Sequence, residues 1–309
     1  MPLSHHLGLE ISDNALRLVE VRINDGFPIV LRCDVAEASH AYGSDLLHRV
    51  PFDYELAKAF ITDIAGLFHG RTVLSNRISV VLPATVPLLV TLPVDADLSP
   101  SERDEHLQWE CRTLSGAPDN AEFHLYQQSL GHGKDTEILL VAAMPRETVR
   151  FLKSAFEHLT FHVSGIEIDH FLYETFIPTL YPQVARAMFA VLGIAPPRCI
   201  ASVTGADGYL GMLRGAITHG GHAELDALTV LHGVLHEHPA TVMQAIFLYG
   251  PGATEHSAQS LSRLLDVPVH AVHPMRAVSF ITGAEAEKAR AHTPETFDAA
   301  LCAAMKGAL

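Results

Sequence analysis

Two short runs of alternating apolar and polar residues, each interrupted by turn residues, constrain this fold more than any other feature of the sequence. In the first run, residues 7–11 and 15–22 alternate on either side of a Ser12-Asp13-Asn14 turn, as strands with one buried face do. Asp25-Gly26 favours the positive φ angles of a tight hairpin, so residues 27–35 are expected to return as a third antiparallel strand. The N-terminal segment therefore predicts a three-stranded meander.

The second half repeats this plan. Residues 199–203, 209–213 and 216–219 are predicted to be strands, with turns at 205–208 and at Arg214-Gly215. The elements predicted to follow are a helix at 225–236, a strand at 245–249, a Gly250-Pro251-Gly252 turn, a helix at 254–265 and a strand at 269–272. Because the same order recurs, the sequence predicts two related lobes that face one another.

A helix and a strand complete the first lobe. Asp53 can cap a helix with an apolar stripe, and a buried strand is predicted at 77–82. The residues of this stripe are Leu56, Phe60, Ile64 and Leu67. Strands followed by helix and strand predict a mixed sheet covered by helices.

Residues 86–164 are interpreted as a smaller unit with strands at 88–92, 123–129 and 138–142. Ser99, Pro100 and Glu102 mark the start of its first helix as N-cap, first residue and capping-box partner. The second helix begins near Pro145. The residues of the two apolar stripes, interpreted as core, are Leu107, Cys111 and Leu114 in the first helix and Val149, Leu152, Phe156 and Leu159 in the second.

The patterns together set the expected domain boundaries. The first part of lobe one is predicted at 1–85, and a small inserted α/β subdomain is predicted at 86–165. The second lobe is predicted at 166–309, with a C-terminal helix at about 293–309 that packs back on lobe one. A chain of 309 residues is long enough for two such lobes.

Composition excludes several classes of function. The formal charge is −14 and the basic residues are scattered, so binding to nucleic acid phosphates or to anionic lipid has little electrostatic support. No stretch approaches the ~20 apolar residues of a membrane span, and the N-terminus has no signal-peptide pattern, so direct membrane insertion is not predicted. The four cysteines form no CxxC pair, which favours reduced thiols over a zinc site or disulfides.

Three separated stretches carry a family resemblance. They are GLEIS at 8–12 with ALRLVE at 15–20, LP at 92–93 with LS at 98–99, QWE at 108–110 and ILLVAA at 138–143, and FLYGPGA at 247–253 with LLDVPV at 264–269. In this order they resemble the PilM family of type IV pilus assembly proteins, within the actin, Hsp70 and FtsA superfamily. The resemblance implies an α/β fold with mixed sheets: a duplicated actin-like, RNase H-like fold with an inserted FtsA/PilM-type subdomain. Only about one helix fits between Gly220 and Ala245, so the second-lobe subdomain is expected to be reduced.

The resemblance also implies where a nucleotide would bind. In this superfamily, backbone N–H groups of two hairpin turns hold the phosphates, and acids at the strand ends organise magnesium. On the first hairpin it assigns Glu10, Ser12 and Arg17 to this role, with Ser12 where glycine is usual and Arg17 where lysine is usual.

The second hairpin and the adenosine turn depart further from the family pattern. The second hairpin is assigned to Ser202, Thr204, Gly205 and Asp207, with Ser202 where an acid is usual and Asp207 as a substitute acid nearby. The adenosine turn is assigned to Gly250 and Gly252, between which Pro251 replaces a glycine and removes a backbone donor.

These departures favour a scaffold without catalysis or cofactor, and the alternative is a weak actin-like ATPase that binds Mg-ATP between two lobes and switches conformation. The resemblance implies a cytoplasmic component of a type IV pilus or related secretion assembly. Such a protein is held at the inner membrane by the short cytoplasmic tail of a membrane protein, in a groove between the first lobe and the inserted subdomain. Leu88, Val90 and Trp109 are the predicted walls of that groove.

Two other kinds of site find little support. His232, His236 and His238 invite a metal hypothesis, but their spacing is not His-Glu-x-x-His and no further ligand is identifiable. Partly buried or surface histidines are the favoured interpretation. A Gly-x-Ser-x-Gly elbow is missing from the sequence, so serine hydrolase chemistry is not indicated.

Overall fold

In the computed structural model the chain divides into two compact units. The structure describes residues 4–43, 49–70, 72–205, 208–218, 223–236 and 242–308, apart from the side chains at 132, 277, 294 and 295. Unit 1 comprises Met1–Asp169, Val278–His292 and Ala299–Leu309, and unit 2 comprises His170–Ala277 and Thr293–Asp298. Unit 1 therefore contains the predicted first lobe, the inserted subdomain and the end of the C-terminal helix.

Strands and helices alternate along most of the chain. The strands are β1 (Ser4–Ile11), β2 (Ala15–Asn24), β3 (Phe27–Glu37), β4 (Arg77–Leu82), β5 (Leu88–Asp95), β6 (Phe123–His132), β7 (Thr136–Pro145), β8 (His162–Ile168), β9 (Phe189–Ala195), β10 (Arg198–Gly205), β11 (Gly208–Ala216), β12 (Ala245–Tyr249), β13 (Val269–Ala271) and β14 (Ser279–Phe280). The α-helices are α1 (Tyr54–Phe68), α2 (Pro100–Ser115), α3 (Arg146–His158), α4 (Asp169–Leu180), α5 (Ala223–His236), α6 (Glu255–Leu265), α7 (Gly283–Arg290) and α8 (Asp298–Ala308).

A six-stranded mixed sheet in the order β14-β3-β2-β1-β4-β8 is the framework of unit 1. The predicted meander is confirmed: β1 pairs antiparallel with β2, which pairs antiparallel with β3. Its second turn has φ angles of 49° at Asp25 and 83° at Gly26, the left-handed conformation that this dipeptide favours. β1 also pairs parallel with β4, and β4 pairs parallel with β8, so the sheet changes from antiparallel to parallel at β1.

Two helix starts in unit 1 follow the sequence signals. The Asp53 carboxylate accepts the backbone N–H groups of Glu55 and Leu56 at 3.1 and 3.2 Å. Ser99 and Glu102 form the reciprocal capping box at the start of α2, with Glu102 Oε2 2.9 Å from the Ser99 backbone nitrogen. Both caps satisfy N–H groups that a helix leaves unpaired in its first turn.

The inserted part of unit 1 is a three-stranded antiparallel sheet, β5-β7-β6, that packs against α2. Its core includes Leu107 and Cys111 from the predicted stripe of α2, together with residues of the three strands. Leu114 is 51% exposed, so the prediction that it belongs to the core is wrong. The helix ends at Gly116 (φ 65°), and the last turn therefore lies beyond the small sheet's core.

Residues 278–292 differ from the predicted boundary because they belong to unit 1. The short strand β14 pairs parallel with β3, where Ser279 lies opposite Ile29. The first turns of α7 bring Glu285 to the backbone N–H of Cys33 at 3.1 Å, and Lys288 forms an ion pair with Asp34. A strand of two residues is too short to show an alternating pattern. The sequence therefore gives no signal that residues 278–292 pack against β3.

The second meander is displaced toward the N-terminus relative to its prediction. Unit 2 has a five-stranded sheet in the order β11-β10-β9-β12-β13, and the meander consists of β9, β10 and β11. Arg214-Gly215 lies within β11 rather than in a turn, and residues 217–218 are outside any strand. The strand β9 was missed because all but its last residue are buried, so its apolar run shows no alternation.

The helix α8 makes a close contact with β1 that depends on one glycine. A Cβ atom added at Gly8 would lie 1.9 Å from the Ala300 carbonyl oxygen and 2.7 Å from the Ala304 backbone nitrogen. Both atoms belong to the helix backbone, so a rotamer change cannot relieve the overlap. Any side chain at Gly8 therefore displaces α8 from the central strand of the sheet.

Gly8→Ala is expected to lower the free energy of unfolding by about 1–3 kcal/mol, because the added methyl group overlaps backbone atoms. The matched control is Gly66→Ala within α1, where an added Cβ meets nothing within 4 Å. The control is expected to stabilise the helix by about 1 kcal/mol. Urea unfolding followed by circular dichroism measures both changes, and an unaltered midpoint for Gly8→Ala would contradict the proposed contact.

Candidate functional site

The first hairpin brings its three predicted residues together. Glu10 and Arg17 are opposite one another in the β1–β2 register. Arg17 Nη1 donates hydrogen bonds to Glu10 Oε1 at 2.8 Å and to Ser12 Oγ at 3.0 Å. Each charged side chain is 19% exposed, so the pair is partly shielded from water. The positive charge of Arg17 is therefore balanced by the acid beside it.

The polar groups in the turn of this hairpin form hydrogen bonds with one another. Ser12 donates both its backbone N–H and its hydroxyl to the carbonyl oxygen of Ala15, at 3.0 and 2.9 Å. The carboxylate of Asp13 lies against Gly43, where an added Cβ would be 1.8 Å from Asp13 Oδ1. The hydrogen-bonding groups of Ser12 in this turn are therefore already engaged within the protein.

The structure adds one acid to this edge of the sheet that the sequence reasoning missed. The carboxyl ends of parallel strands lie at one edge, and β1, β4 and β8 end there. Asp169 follows β8 directly and accepts the backbone N–H of Ala84, just beyond β4, at 2.9 Å. An acid immediately after a strand would have indicated Asp169 from the sequence. It was missed because β8 itself was not predicted.

The hairpin that corresponds to the first one in unit 2 is β9–β10. Like β1, β9 pairs antiparallel with the next strand and parallel with a later strand, here β12. Ala195 pairs with Arg198 across Pro196-Pro197, and no acid occurs in residues 193–198. The hairpin with this pairing pattern therefore precedes residues 202–207, to which the second phosphate hairpin was assigned.

The residues predicted for the second phosphate hairpin lie near the end of β10 and beyond it. Ser202, Thr204 and Gly205 lie on β10, the middle strand of the meander β9–β10–β11, and Gly205 pairs with Gly208 of β11. Asp207 lies outside the described residues. Contact of these residues with nucleotide stays a prediction.

Ser202 belongs to a buried hydrogen-bond network. Its hydroxyl donates to Glu174 Oε1 and lies 2.8 Å from His170 Nε2. The other ring nitrogen of His170 is 3.0 Å from the Tyr249 hydroxyl, and Nε2 is 3.3 Å from Glu174 Oε1. Ser202 and His170 are fully buried. A hydroxyl at this position therefore fits the surrounding partners, whereas a carboxylate would face Glu174.

Gly250 and Gly252 also have a structural explanation. Gly250 has φ 91°, and its added Cβ would lie 2.9 Å from the Ile194 carbonyl oxygen. The backbone N–H of Gly252 donates to that same oxygen at 2.9 Å, and its added Cβ would lie 2.3 Å from Ile194 Cγ2. The turn after β12 thus packs directly on the end of β9, and both glycines permit this approach.

A cavity of about 300 Å³ lies in unit 1 between the six-stranded and three-stranded sheets. Its walls come from β6, β7, α3 and β8, and β6 and β8 are the last strands of their sheets. The wall residues include His124, Tyr126, Met144, Val149, Lys153 and Val163. An end strand has backbone donors and acceptors on its outer side, so both strands can pair with an added extended segment.

The predicted groove residues do not line this cavity. Leu88 and Val90, on β5, pack against the core of the inserted part, which includes Leu107. Trp109 is 54% exposed on α2, with its ring stacked on His106 at 6.4 Å between centroids. Tail binding by these three residues stays a prediction.

Below the cavity, a buried histidine connects three strands. His6 Nε2 lies 2.9 Å from Ser79 Oγ and 3.1 Å from Ser164 Oγ, and Ser164 also lines the cavity. Gly307 of α8 packs on the imidazole, where an added Cβ would be 2.1 Å from Nε2. Burial, with a smaller effect of the Arg77 charge, lowers the pKa of His6 to about 4. His6 is therefore neutral at pH 7.

His6 makes unit 1 less stable in acid. Its folded-state pKa of about 4 lies below the ordinary value of 6.5, so the unfolded chain binds the proton first as the pH falls. The free energy of unfolding should fall by about 2 kcal/mol between roughly pH 6.5 and pH 5 through this group. His6→Gln should remove that part of the pH dependence, and the exposed control His69→Gln should keep it. Urea titrations at several pH values measure the slopes, and parallel slopes for wild type and His6→Gln would contradict the assignment.

Metal binding needs a cluster of ligating side chains, and crossing a membrane needs a long apolar helix. Within the described residues, no group of three His, Cys, Asp or Glu side chains could hold a metal ion. His232 and His236 lie on α5, and His238 is outside the described residues. Among the described helices, none is long and apolar enough to cross a membrane.

Comparison with known proteins defines the fold. No family model and no curated protein matches the sequence. The structure is similar to a chain of the PilM–PilN type IV pilus biogenesis complex, with a TM-score of 0.69, 16% identity and 98% coverage of both chains. It is also similar to a Bacteroides thetaiotaomicron protein with an actin-like ATPase fold and unknown function, with a TM-score of 0.54, 10% identity and coverage of 89% and 93%. The chain thus has the duplicated actin-like fold, as predicted.

Proposed function

We propose that this protein is a non-catalytic cytoplasmic scaffold of a type IV pilus or related secretion assembly. It binds the short cytoplasmic tail of an inner-membrane protein and is thereby held at the membrane as a peripheral component. The observation that carries this proposal is the cavity between the end strands β6 and β8. The likeness in fold to a protein from the PilM–PilN complex supports the kind of assembly.

The cavity suits an extended peptide. Met144, Val149 and Val163 provide an apolar floor and are themselves largely buried, so apolar side chains of a tail gain by leaving water there. The outer edges of β6 and β8 can satisfy the backbone groups of an added strand. Tyr126, 57% exposed on β6, offers an aromatic surface at the mouth of the cavity.

The absence of catalysis in this proposal is supported by the state of the hairpins. Arg17 is held by Glu10, the turn N–H of Ser12 is bonded to Ala15, and the β9–β10 hairpin has no acid for magnesium. Gly250 and Gly252 are required by the contact with Ile194. These residues fit a magnesium nucleotide poorly, so we propose no cofactor and no hydrolytic step.

Tail binding is tested with fluorescent peptides that correspond to the cytoplasmic tails of inner-membrane proteins encoded next to this gene. At least one tail should bind wild-type protein in a fluorescence-anisotropy titration. Tyr126→Ala should weaken that binding about tenfold or more, because an aromatic contact at the mouth is lost. The control Tyr54→Ala removes another exposed aromatic residue of unit 1, 76% exposed on α1, and should bind as wild type does. Failure of every tail to bind, or wild-type binding by Tyr126→Ala, would contradict the proposal.

The second candidate is an actin-like ATPase, favoured by the two acids, Glu10 and Asp169, at the carboxyl edge of β1, β4 and β8. Titration with fluorescent ATP and magnesium distinguishes the two functions. We expect no saturable binding up to millimolar nucleotide, because Glu10 is neutralised by Arg17. Micromolar binding that is lost in Glu10→Ala but kept in the surface control Glu105→Ala would establish the ATPase alternative instead.

A further inference from the structure

The basic side chains near the cavity fall into two groups. Arg146 and Arg150, on α3, each have an acid partner: Arg146 Nη1 is 2.7 Å from Glu122 Oε2, and Arg150 Nη1 is 2.6 Å from Glu147 Oε1. Their charges are therefore locally balanced. These two arginines do not line the cavity.

Lys153 and His124 line the cavity and, unlike the two arginines, have no acid partner in the described part of the chain. Within the described part of the chain, neither side chain has an ion-pair partner or a side-chain hydrogen bond. Lys153 lies one helical turn after Val149, so the charged and the apolar side chain share the face of α3 that borders the cavity. Burial lowers the pKa of His124, and the charges of Arg146, Lys153 and Arg150 lower it further. His124 is therefore neutral at pH 7, and Lys153 carries the positive charge at the mouth of the cavity.

This local potential contrasts with the whole chain, whose formal charge is −14. At long range the protein repels an acidic ligand, so an acidic group gains only where an unpaired cation lies close to it. Lys153 and His124 border the apolar wall formed by Val149 and Met144. A peptide bound there would exclude water, and an ion pair formed at its edge would be stronger than one in open solvent.

We propose that the occupant of the cavity is an extended peptide segment with an acidic side chain, Asp or Glu, that forms an ion pair with Lys153 and a hydrogen bond with the ring of His124. The proposal rests on the tail-binding function above and specifies the chemistry of the tail. In an extended segment, successive side chains point to opposite sides. Apolar residues of the segment enter the cavity over Met144, Val149 and Val163, and the acid between them reaches the rim.

Short random peptides displayed on phage test the specificity without knowledge of the natural partner. Selection on the full chain should enrich sequences with Asp or Glu at one fixed position between apolar residues. Selection on Lys153→Glu should shift that position to Lys or Arg. The matched control Lys134→Glu makes the same charge change on the exposed β6–β7 turn, away from the cavity. It should enrich the same acidic motif as wild type.

One enriched peptide is then measured by calorimetry. Replacing its acid with Lys should weaken binding to wild type about tenfold or more, and Lys153→Glu should restore much of the loss. Enriched peptides without a fixed acid, or a motif unchanged by Lys153→Glu, would overturn the acidic specificity. If those peptides still lose affinity in Tyr126→Ala, the tail-binding function stands and only this inference fails. If no peptide depends on Tyr126, both fail.

Discussion

The arrangement of unit 1 depends on the pairing of β1 with strands on both sides, antiparallel to β2 and parallel to β4. This one strand joins the N-terminal meander to the parallel half of the sheet. It brings Glu10 to the edge where Asp169 follows β8, and it carries Gly8, against which α8 packs without a side chain between them. Since β8 is the last strand on the parallel side, its outer edge can serve as a wall of the cavity. The candidate sites therefore share one structural origin.

Polar groups around the two hairpins are largely engaged with one another. Arg17 contacts Glu10 and Ser12 in unit 1, and Ser202 contacts Glu174 and His170 in unit 2. A buried polar group that already has protein partners must lose them before it can hold a ligand, and this exchange costs free energy. The glycines after β12 are likewise occupied by packing against Ile194. An actin-like fold can form without side chains that are free to bind a nucleotide.

The cavity has the opposite character, because it joins apolar side chains, two strand edges and the cationic side chain of Lys153, which has no acid partner among the described residues. Each contributes a different part of recognition. Apolar surface favours burial, strand edges favour an extended backbone, and charge selects among side chains. His6 and Ser164 connect the floor of this region to the core of the sheet through hydrogen bonds. A rigid floor lowers the entropy cost of ordering a bound segment.

The sequence by itself determined the elements whose signals are local: the first meander, the caps at Asp53 and Ser99, the inserted sheet and the strand β12. Alternation, turn residues and caps act over a few residues, so they are readable without the fold. Only the tertiary structure decided the rest. The buried strand β9 has no alternation, and it forms the hairpin with β10 that precedes Ser202. Asp169, Lys153 and His124 gain their positions from strands and helices far apart in the chain, and no local pattern encodes such pairing.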